Sequence, residues 1–550
     1  MKNKKINIFL KILPFLFFII FFLVLLIPRY FGIVNGLPDY GVDENAVVGF
    51  SIGYMHGDLN PHWFKYGPLY SYLLAIVYFV KWLFSSLDYN DFLKSIFFNP
   101  YNFYFIARIC NVVLSLFLAF LVYFFSAKNH NKQVAVVALF LAIFPFIENL
   151  TRFQVRIDVL LAVWSLLAVF FVLKISQTKK TKYYITTGLF VGLGLATKPI
   201  TALFVLPTIF LGHYFASKKE NYGIKKLIFN KKLLLLFSSS FIFNFIFNPY
   251  SLLSIKDFLF QTLGIIINDT GRHFLKGWHL SMFTQDKHLG YVFVLMSLLG
   301  VCYYIYKYLK TRKDLYLIIV SYPIVFWFSF AFFPAREYFY IPIIPFLIIM
   351  TSKFLIDLSE KIKIESIRYL FILTALILII WQPSVRLYKK TSFLKEYSNQ
   401  KNAIATVSAK YWIEENIPKM SKILLYGKTL YLPRLVDYRL EQQMEFSHNF
   451  LYDQDENKLY LESYREAFEK YKNEGGIVFD LDNIDKVNGL HKNYNEADLF
   501  QYCTENDFDY VLVSFRLSLD EYPEFKRRKF NEFDVDKHPI GFPFEMYKLK

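Results

Sequence analysis

The sequence predicts a polytopic α-helical membrane protein of about eleven spans, followed by a water-soluble α/β domain. Three observations carry that reading. The 550 residues are 55% hydrophobic and include 63 Phe and 41 Tyr but only 19% charged residues, too few charges for a soluble chain of this length. Apolar stretches near the roughly 20 residues needed to cross a bilayer recur along the first 383 positions. Lys and Arg gather in short clusters between those stretches, so the net charge of +17 reads as the positive-inside pattern and not as a nucleic-acid surface. Only three cysteines are present, Cys110, Cys302 and Cys503, in unrelated contexts, which argues against a disulfide framework or a cysteine zinc site.

The first span, Phe9 to Pro28, is too long for a signal peptide and lacks a small-residue cleavage site, so it reads as an anchor. Lys2, Lys4 and Lys5 before it hold the N-terminus in the cytoplasm, which puts the loop at 29–103 outside. The membrane expected is the plasma (inner) membrane. Basic clusters at Lys128 and Lys132, Lys174 to Lys182, Lys218 to Lys232, Lys307 to Lys313 and Lys361 to Arg368 should all be cytoplasmic. Counting back from Lys128, Tyr104 to Ser126 must run inward, so the apolar stretch Leu69 to Phe84 cannot be an ordinary crossing. It is expected as an interfacial or re-entrant helix with Lys81 and Trp82 as anchors. The remaining spans alternate: Val134 to Leu150, Asp158 to Leu173, Tyr183 to Ala196, Ile200 to Phe215, Leu233 to Phe247, Tyr291 to Tyr306, Leu315 to Phe333, Tyr338 to Leu355 and Tyr369 to Trp381.

After Trp381 the composition turns polar, which marks a soluble domain over 384–550 on the outer side. Expected elements are a helix through Ala409 to Asn416 and strands at Lys422 to Tyr426, Gly476 to Phe479 and Tyr510 to Val513. Helical patterns between short strands of buried type suggest an α/β layer.

The first outer loop holds the most unusual residues. Asp43-Glu44 is followed by Gly57-Asp58, Asn60-Pro61 and Lys65-Tyr-Gly-Pro68-Leu-Tyr70. Carboxylates at a bilayer boundary must stay hydrated, bind a cation or do chemistry, since burying one in hydrocarbon costs about 2.5 to 3.5 kcal/mol even on lenient scales. Further landmarks are Arg152 to Asp158, Thr197-Lys198-Pro199, Asn248-Pro249-Tyr250, and Arg336-Glu-Tyr338 leading into Ile341-Pro-Ile-Ile-Pro345. In this order the residues resemble the GT-C membrane glycosyltransferases, in the branch of protein mannosyltransferases and bacterial aminoarabinose transferases. One departure is the Tyr66-Gly67 pair between Lys65 and Pro68, where the aminoarabinose enzymes have lysine next to proline.

The resemblance implies transfer of a sugar from a polyprenyl-phosphate donor to an acceptor hydroxyl on a glycan, lipid or protein at the outer face, with inversion. It casts Asp43 as the general base and Glu44 as its orienting partner. Lys65, Arg272 and Arg336 are the candidates for the departing phosphate, supported by His273, Asp158 and Lys198. Plainer readings stand beside these. Asp43 and Glu44 could belong to a solvated loop or helix N-terminus. Lys65 could snorkel, Arg336 could be neutralised by Glu337, and Arg272-His273 could be a surface pair. Asp158 could cap its span or support Arg156, and Lys198 could satisfy carbonyls freed at a helix break.

His56, Asp58 and His62 match no recognised ligand spacing; turn chemistry is the first reading there and a divalent cation the second. No nucleotide-binding glycine loop is present, in keeping with a lipid-linked donor, and no nucleic-acid partner is expected. Two other classes stay open: a transporter or flippase of lipid-linked sugars, and a polysaccharide ligase or polymerase. Transporters place charges at mid-membrane on broken helices, whereas these gather in outer loops. Ligases are expected to use basic residues and histidines of a late external loop.

Overall fold

A computed structural model describes residues 42–61, 64, 66–98, 101–143, 155–218, 230–262, 289–329 and 337–398, with 416–418, 422–426, 439–442, 504, 509–514, 529–533 and 544–548 near the C-terminus. In chain order the helices are α1 Val42–Met55, α2 Leu69–Leu83, α3 Tyr89–Phe98, α4 Tyr101–Asn129, α5 Lys132–Ile143, α6 Ile157–Thr178, α7 Thr181–Thr197 and α8 Pro199–Ala202. Then come α9 Leu206–Lys218, α10 Lys231–Phe247, α11 Tyr250–Leu253, α12 Tyr291–Thr311, α13 Asp314–Ser329, α14 Ile344–Ser359 and α15 Glu365–Ser398. Three-ten turns at Leu203–Val205 and Glu337–Ile343 lead into α9 and α14. The chain divides into two compact units, one built on Asn60–Leu74 and Ile106–Thr391, the other on Asn35–Leu59, Ala75–Phe105 and Ser392–Lys550.

Among the described residues six helical stretches are long and apolar enough to cross a membrane: Asn102–Asn129, Ile157–Thr178, Pro199–Lys218, Tyr291–Thr311, Tyr338–Ser359 and Glu365–Lys389. Each coincides with an expected span. Four further expected spans fall on the shorter helices α5, α7, α10 and α13, and the first, Phe9 to Pro28, lies outside the described residues. The stretch expected to be interfacial is the 15-residue helix α2, short for a crossing.

Burial ranks the helices of the first unit. The spans Ile157–Thr178 and Tyr338–Ser359 are 72% and 83% buried, against 22% for Tyr291–Thr311 and Glu365–Lys389. The first two are therefore the centre of the bundle and the others its rim. A helix apolar on every side suits such a centre, and α6 buries Val159, Leu160, Leu161, Ala162, Leu166 and Val169 on successive faces.

Lipid offers no hydrophobic drive for helices to associate, so close backbone approach matters more. Gly188 and Gly192 of α7, four residues apart, supply it: a methyl on Gly188 would come within 2.4 Å of the Leu236 carbonyl oxygen, and one on Gly192 within 2.6 Å of that of Ser240. The Ser239 hydroxyl also donates to the Ile185 carbonyl at 2.9 Å. Residue numbers rise together along this contact, so α7 and α10 run parallel.

The predicted cytoplasmic segments gather at one end of this unit. Lys232 Nζ donates to the Lys179 carbonyl at 2.8 Å, His130 and Tyr304 share a 2.7 Å hydrogen bond, and Asp357 takes Lys307 at 3.2 Å and Lys353 at 2.5 Å. Helix α6, 22 residues long, carries the chain about 33 Å from that end to Asp158. At the far end, Tyr291 N–H donates to Gln382 Oε1 at 2.9 Å.

In the second unit, Tyr78 donates to the Phe103 carbonyl at 2.8 Å, its ring packed edge-on against Phe103 at 5.1 Å; Tyr89 donates to the Met55 carbonyl. Among the described residues five strands, β1 Lys422–Tyr426, β2 Arg439–Gln442, β3 Tyr510–Ser514, β4 Lys529–Phe533 and β5 Phe544–Lys548, form one sheet in the order β2-β1-β3-β5-β4. β1 is parallel to both β2 and β3, and β5 is antiparallel to β3 and β4. Two expected strands are thus present, while Gly476 to Phe479, and all but the last residue of Ala409 to Asn416, lie outside the described residues. Helix α15 runs unbroken through Pro383 to Ser398. The composition change at 384 therefore falls inside a helix, and the units divide at 391–392.

Candidate functional site

At the end of the first unit away from the basic clusters, segments far apart in sequence meet around Lys198. Helix α7 ends at Thr197 because Pro199 cannot continue it, and the short α8 restarts with that proline in its first turn. The backbone resolves the break itself: Lys198 N–H donates to the Gly194 carbonyl at 2.8 Å and the Lys198 carbonyl accepts from Ala202 at 3.0 Å. The Thr197 carbonyl takes the Gly67 N–H at 2.9 Å. Gly67 is required there, since a methyl at that position would lie 2.0 Å from the Ala196 carbonyl oxygen.

The Lys198 ammonium is consequently not spent on carbonyls. Its Nζ lies 2.7 Å from Asp158 Oδ1, with the two side chains 9% and 2% exposed. Three rings surround it, with centroids at 4.1 Å for Phe339, 5.3 Å for Tyr66 and 5.9 Å for Tyr338. Beside it the Arg156 guanidinium stands 3.9 Å from the Tyr338 ring centre, and Arg156 N–H reaches Asn111 Oδ1 at 3.5 Å. Ring faces attract cations by up to about 2 kcal/mol when desolvated, without supplying an acceptor that a ligand must displace.

Asp158 sits in the first turn of α6, where a capping role was the plainer expectation. The N-cap is Arg156, and no side-chain bond caps the helix there. Its carboxylate goes to Lys198 instead, because a buried charge needs a partner more than a helix end needs a cap. The plain reading of Lys198 as a carbonyl donor is corrected by the same contact.

The segment carrying Lys65 is pinned on either side of that residue. Phe64 N–H donates to Gln261 Oε1 at 2.7 Å and the Phe64 ring meets Phe258 edge-on at 5.7 Å. Asn60 Nδ2 reaches Ser254 Oγ at 3.4 Å. Lys65, Arg272, His273 and Arg336 lie outside the described residues, as does the Asp43 side chain. Asp43 and Glu44 fall in the first turn of α1; Glu44 is fully buried, so it does not belong to a solvated loop. His56 and Asp58 follow that helix, His62 lies outside the described residues, and among those described no three His, Cys, Asp or Glu side chains group as metal ligands.

The landmark segments Lys65 to Tyr70, Arg152 to Asp158, Thr197 to Pro199 and Arg336 to Tyr338 therefore each send at least one residue to this cluster. Sequence reasoning did not single out Tyr66 or Phe339 as ring partners. The available signal was that Asp158 and Lys198 are ionisable residues at the ends of apolar stretches, with no opposite charge three or four positions away.

No curated protein matches the sequence. Residues 98–246 match the family of dolichyl-phosphate-mannose-protein mannosyltransferases. Among solved structures, ArnT from Cupriavidus metallidurans, bound to undecaprenyl phosphate, superposes with a TM-score of 0.52 at 11% identity, over 97% of both chains. The apo oligosaccharyltransferase of Archaeoglobus fulgidus gives a TM-score of 0.50 at 14% identity over 90% of this chain and 69% of that one. The family match thus lies across α4 to α10, and the chain shares its fold with ArnT.

Proposed function

We propose that the protein transfers a sugar from a polyprenyl-phosphate donor to an acceptor hydroxyl, and that the Lys198 cluster holds the donor phosphate. One observation carries this reading: the ammonium of Lys198 is buried, ringed by aromatic faces and, among the described residues, tied to a single carboxylate at 2.7 Å. A phosphate oxygen can replace Asp158 at that distance, with Arg156 alongside on Tyr338. The bound undecaprenyl phosphate of the ArnT structure supports this donor class.

In the reaction the acceptor oxygen bonds to the anomeric carbon, on the side opposite the phosphate, as its proton passes to a carboxylate. The bond from the anomeric carbon to the phosphate oxygen breaks, and polyprenyl phosphate leaves with the electron pair as a dianion. Fixed cations stabilise that gain of charge more than the ground state. Asp43 is the base and Glu44 its neighbour in the first turn of α1; Lys65, Arg272 and Arg336 add phosphate contacts. Attack from the opposite face inverts the anomeric centre.

The same reading takes all eleven spans as crossings of a plasma (inner) membrane, with the N-terminus in the cytoplasm. The sheet of the C-terminal part then belongs to an external α/β domain that faces the acceptor. The test is to incubate purified protein with a panel of radiolabelled polyprenyl-phosphate sugars and membrane extract, comparing wild type with Asp43→Asn. Transfer by the wild type and its loss in a folded Asp43→Asn protein are expected. Equal transfer by both removes Asp43 as the base, and no transfer from any donor removes the reading.

A further inference from the structure

Asn248 closes α10 at the same end of the bundle as Lys198. Its main chain is fixed twice: N–H donates to the Asn244 carbonyl at 2.7 Å, and its own carbonyl accepts from the Ser251 hydroxyl at 2.7 Å and the Ser251 N–H at 3.1 Å. The side chain is held in place by that backbone and is only 1% exposed. Yet among the described residues its Oδ1 has no hydrogen-bond partner. An unsatisfied buried polar group costs about 1 to 3 kcal/mol, and an apolar residue of similar size would avoid the cost. A group kept at such expense points to a ligand that completes it.

The register of α7 on α10 places this amide. Gly188 meets Leu236 and Ser239, and Gly192 meets Ser240 and Asn244. One turn further on, Ala196 and Thr197 come level with Asn248, so the amide stands one helix over from the Lys198 break. Neighbouring polar groups on α10 and α11 include neutral amides and hydroxyls: Asn244 Nδ2 reaches Ser251 Oγ at 3.3 Å. The unpaired atom is an acceptor oxygen, which an alcohol O–H can complete and a phosphate dianion, having no proton to donate, cannot.

We infer that Asn248 recognises a hydroxyl of the sugar carried by the donor, an inference that rests on the donor-phosphate reading of Lys198. The two sites then divide the donor: charge at Lys198 binds its phosphate, and the amide of Asn248 binds its sugar. Loss of a buried hydrogen bond to a neutral hydroxyl is expected to weaken sugar binding about tenfold, while the apolar replacement keeps or raises thermal stability.

The experiment uses full-length protein in lipid nanodiscs. Undecaprenyl phosphate and a panel of undecaprenyl-phosphate hexoses and pentoses are titrated into wild type, Asn248→Leu and Asn248→Gln, with thermal midpoints recorded for each. The wild type should bind at least one sugar-bearing lipid about tenfold more tightly than the bare phosphate lipid. Asn248→Leu should bind both alike, at the affinity of the bare lipid and with a midpoint no lower than wild type; Asn248→Gln should recover part of the difference. If Asn248→Leu keeps the wild-type preference, or if no sugar adds affinity in the wild type, the inference is overturned and the phosphate reading survives. If the wild type binds none of the lipids, both fall together.

Discussion

The two ends of the first unit each pair a lysine with an aspartate, and they do so in different ways. At the basic end Asp357 accepts from Lys307, Lys353 and the Tyr303 hydroxyl, so losing one partner leaves two. At the other end, among the described residues, Asp158 and Lys198 form a single contact inside a ring of aromatic side chains. The first arrangement braces α12 against α14 and resists exchange. On the donor-phosphate reading the second keeps one cation ready to accept a new anion, and its surroundings supply ring faces where the first supplies further donors. An over-determined pair marks a structural joint; a singly held one marks a place where a ligand can enter.

Several substitutions can break that contrast. The largest expected effect is on Lys198→Met, which should lower transfer and donor affinity by a factor of about 100 or more, since charged hydrogen bonds are worth about 1.5 to 3 kcal/mol. Lys307→Met, at the other end, should leave activity within about twofold of wild type. Measured kcat/KM for the two variants decides whether the ends differ in function.

Removing one member of a buried pair strands the other charge, at a cost of about 3 to 5 kcal/mol. Lys198→Met should therefore also lower the thermal midpoint, whereas the double replacement Lys198→Met with Asp158→Leu should regain most of the stability and none of the activity. Recovery of activity in the double variant would make the pair a structural joint like that of Asp357. A milder effect is expected from Gly67→Ala, whose new methyl would press on the Ala196 carbonyl. The segment must back away from Tyr66's place beside Lys198, with a loss in activity of about tenfold and a smaller loss in stability; small-to-large changes in tight contacts cost about 1 to 3 kcal/mol.

The smallest effect concerns the basic end alone. Burial holds the His130 imidazole down at about 3, with Lys353 adding repulsion and Asp357 opposing it. The ring stacks on Tyr316 and bonds Tyr304. Because the folded value lies below the unfolded one, the unfolded chain takes up the extra proton. Stability then falls as pH drops from about 6.5 toward 3, by about 2 kcal/mol at pH 5. Thermal midpoints of wild type and His130→Gln against pH should converge in acid as the variant loses this slope; parallel curves would remove His130 as the cause.

Much of this arrangement was legible in the sequence. Apolar length located the spans that reappear as Asn102–Asn129 and Ile157–Thr178. The strands expected at Lys422 to Tyr426, stopped by Gly427, and at Tyr510 to Val513 reappear as β1 and β3. The Asp158–Lys198 pair did not announce itself, because 40 positions separate the partners and periodicity assigns a residue to a face without naming what it meets. The same limit hid Phe339, one phenylalanine among 63. Asn248 was visible only as part of the Asn248-Pro249-Tyr250 landmark; that its Oδ1 is buried with no partner among the described residues depends on how α7 and α10 close together.

The central claim is that Lys198 takes the phosphate of a lipid donor in place of Asp158. Titration of undecaprenyl phosphate into wild-type protein, Lys198→Met and the Lys198→Met, Asp158→Leu double variant, all in nanodiscs, measures it directly. Saturable binding by the wild type, weakened about 100-fold in both variants while the double variant keeps its thermal midpoint, is the result expected. Equal affinity in all three proteins would contradict it.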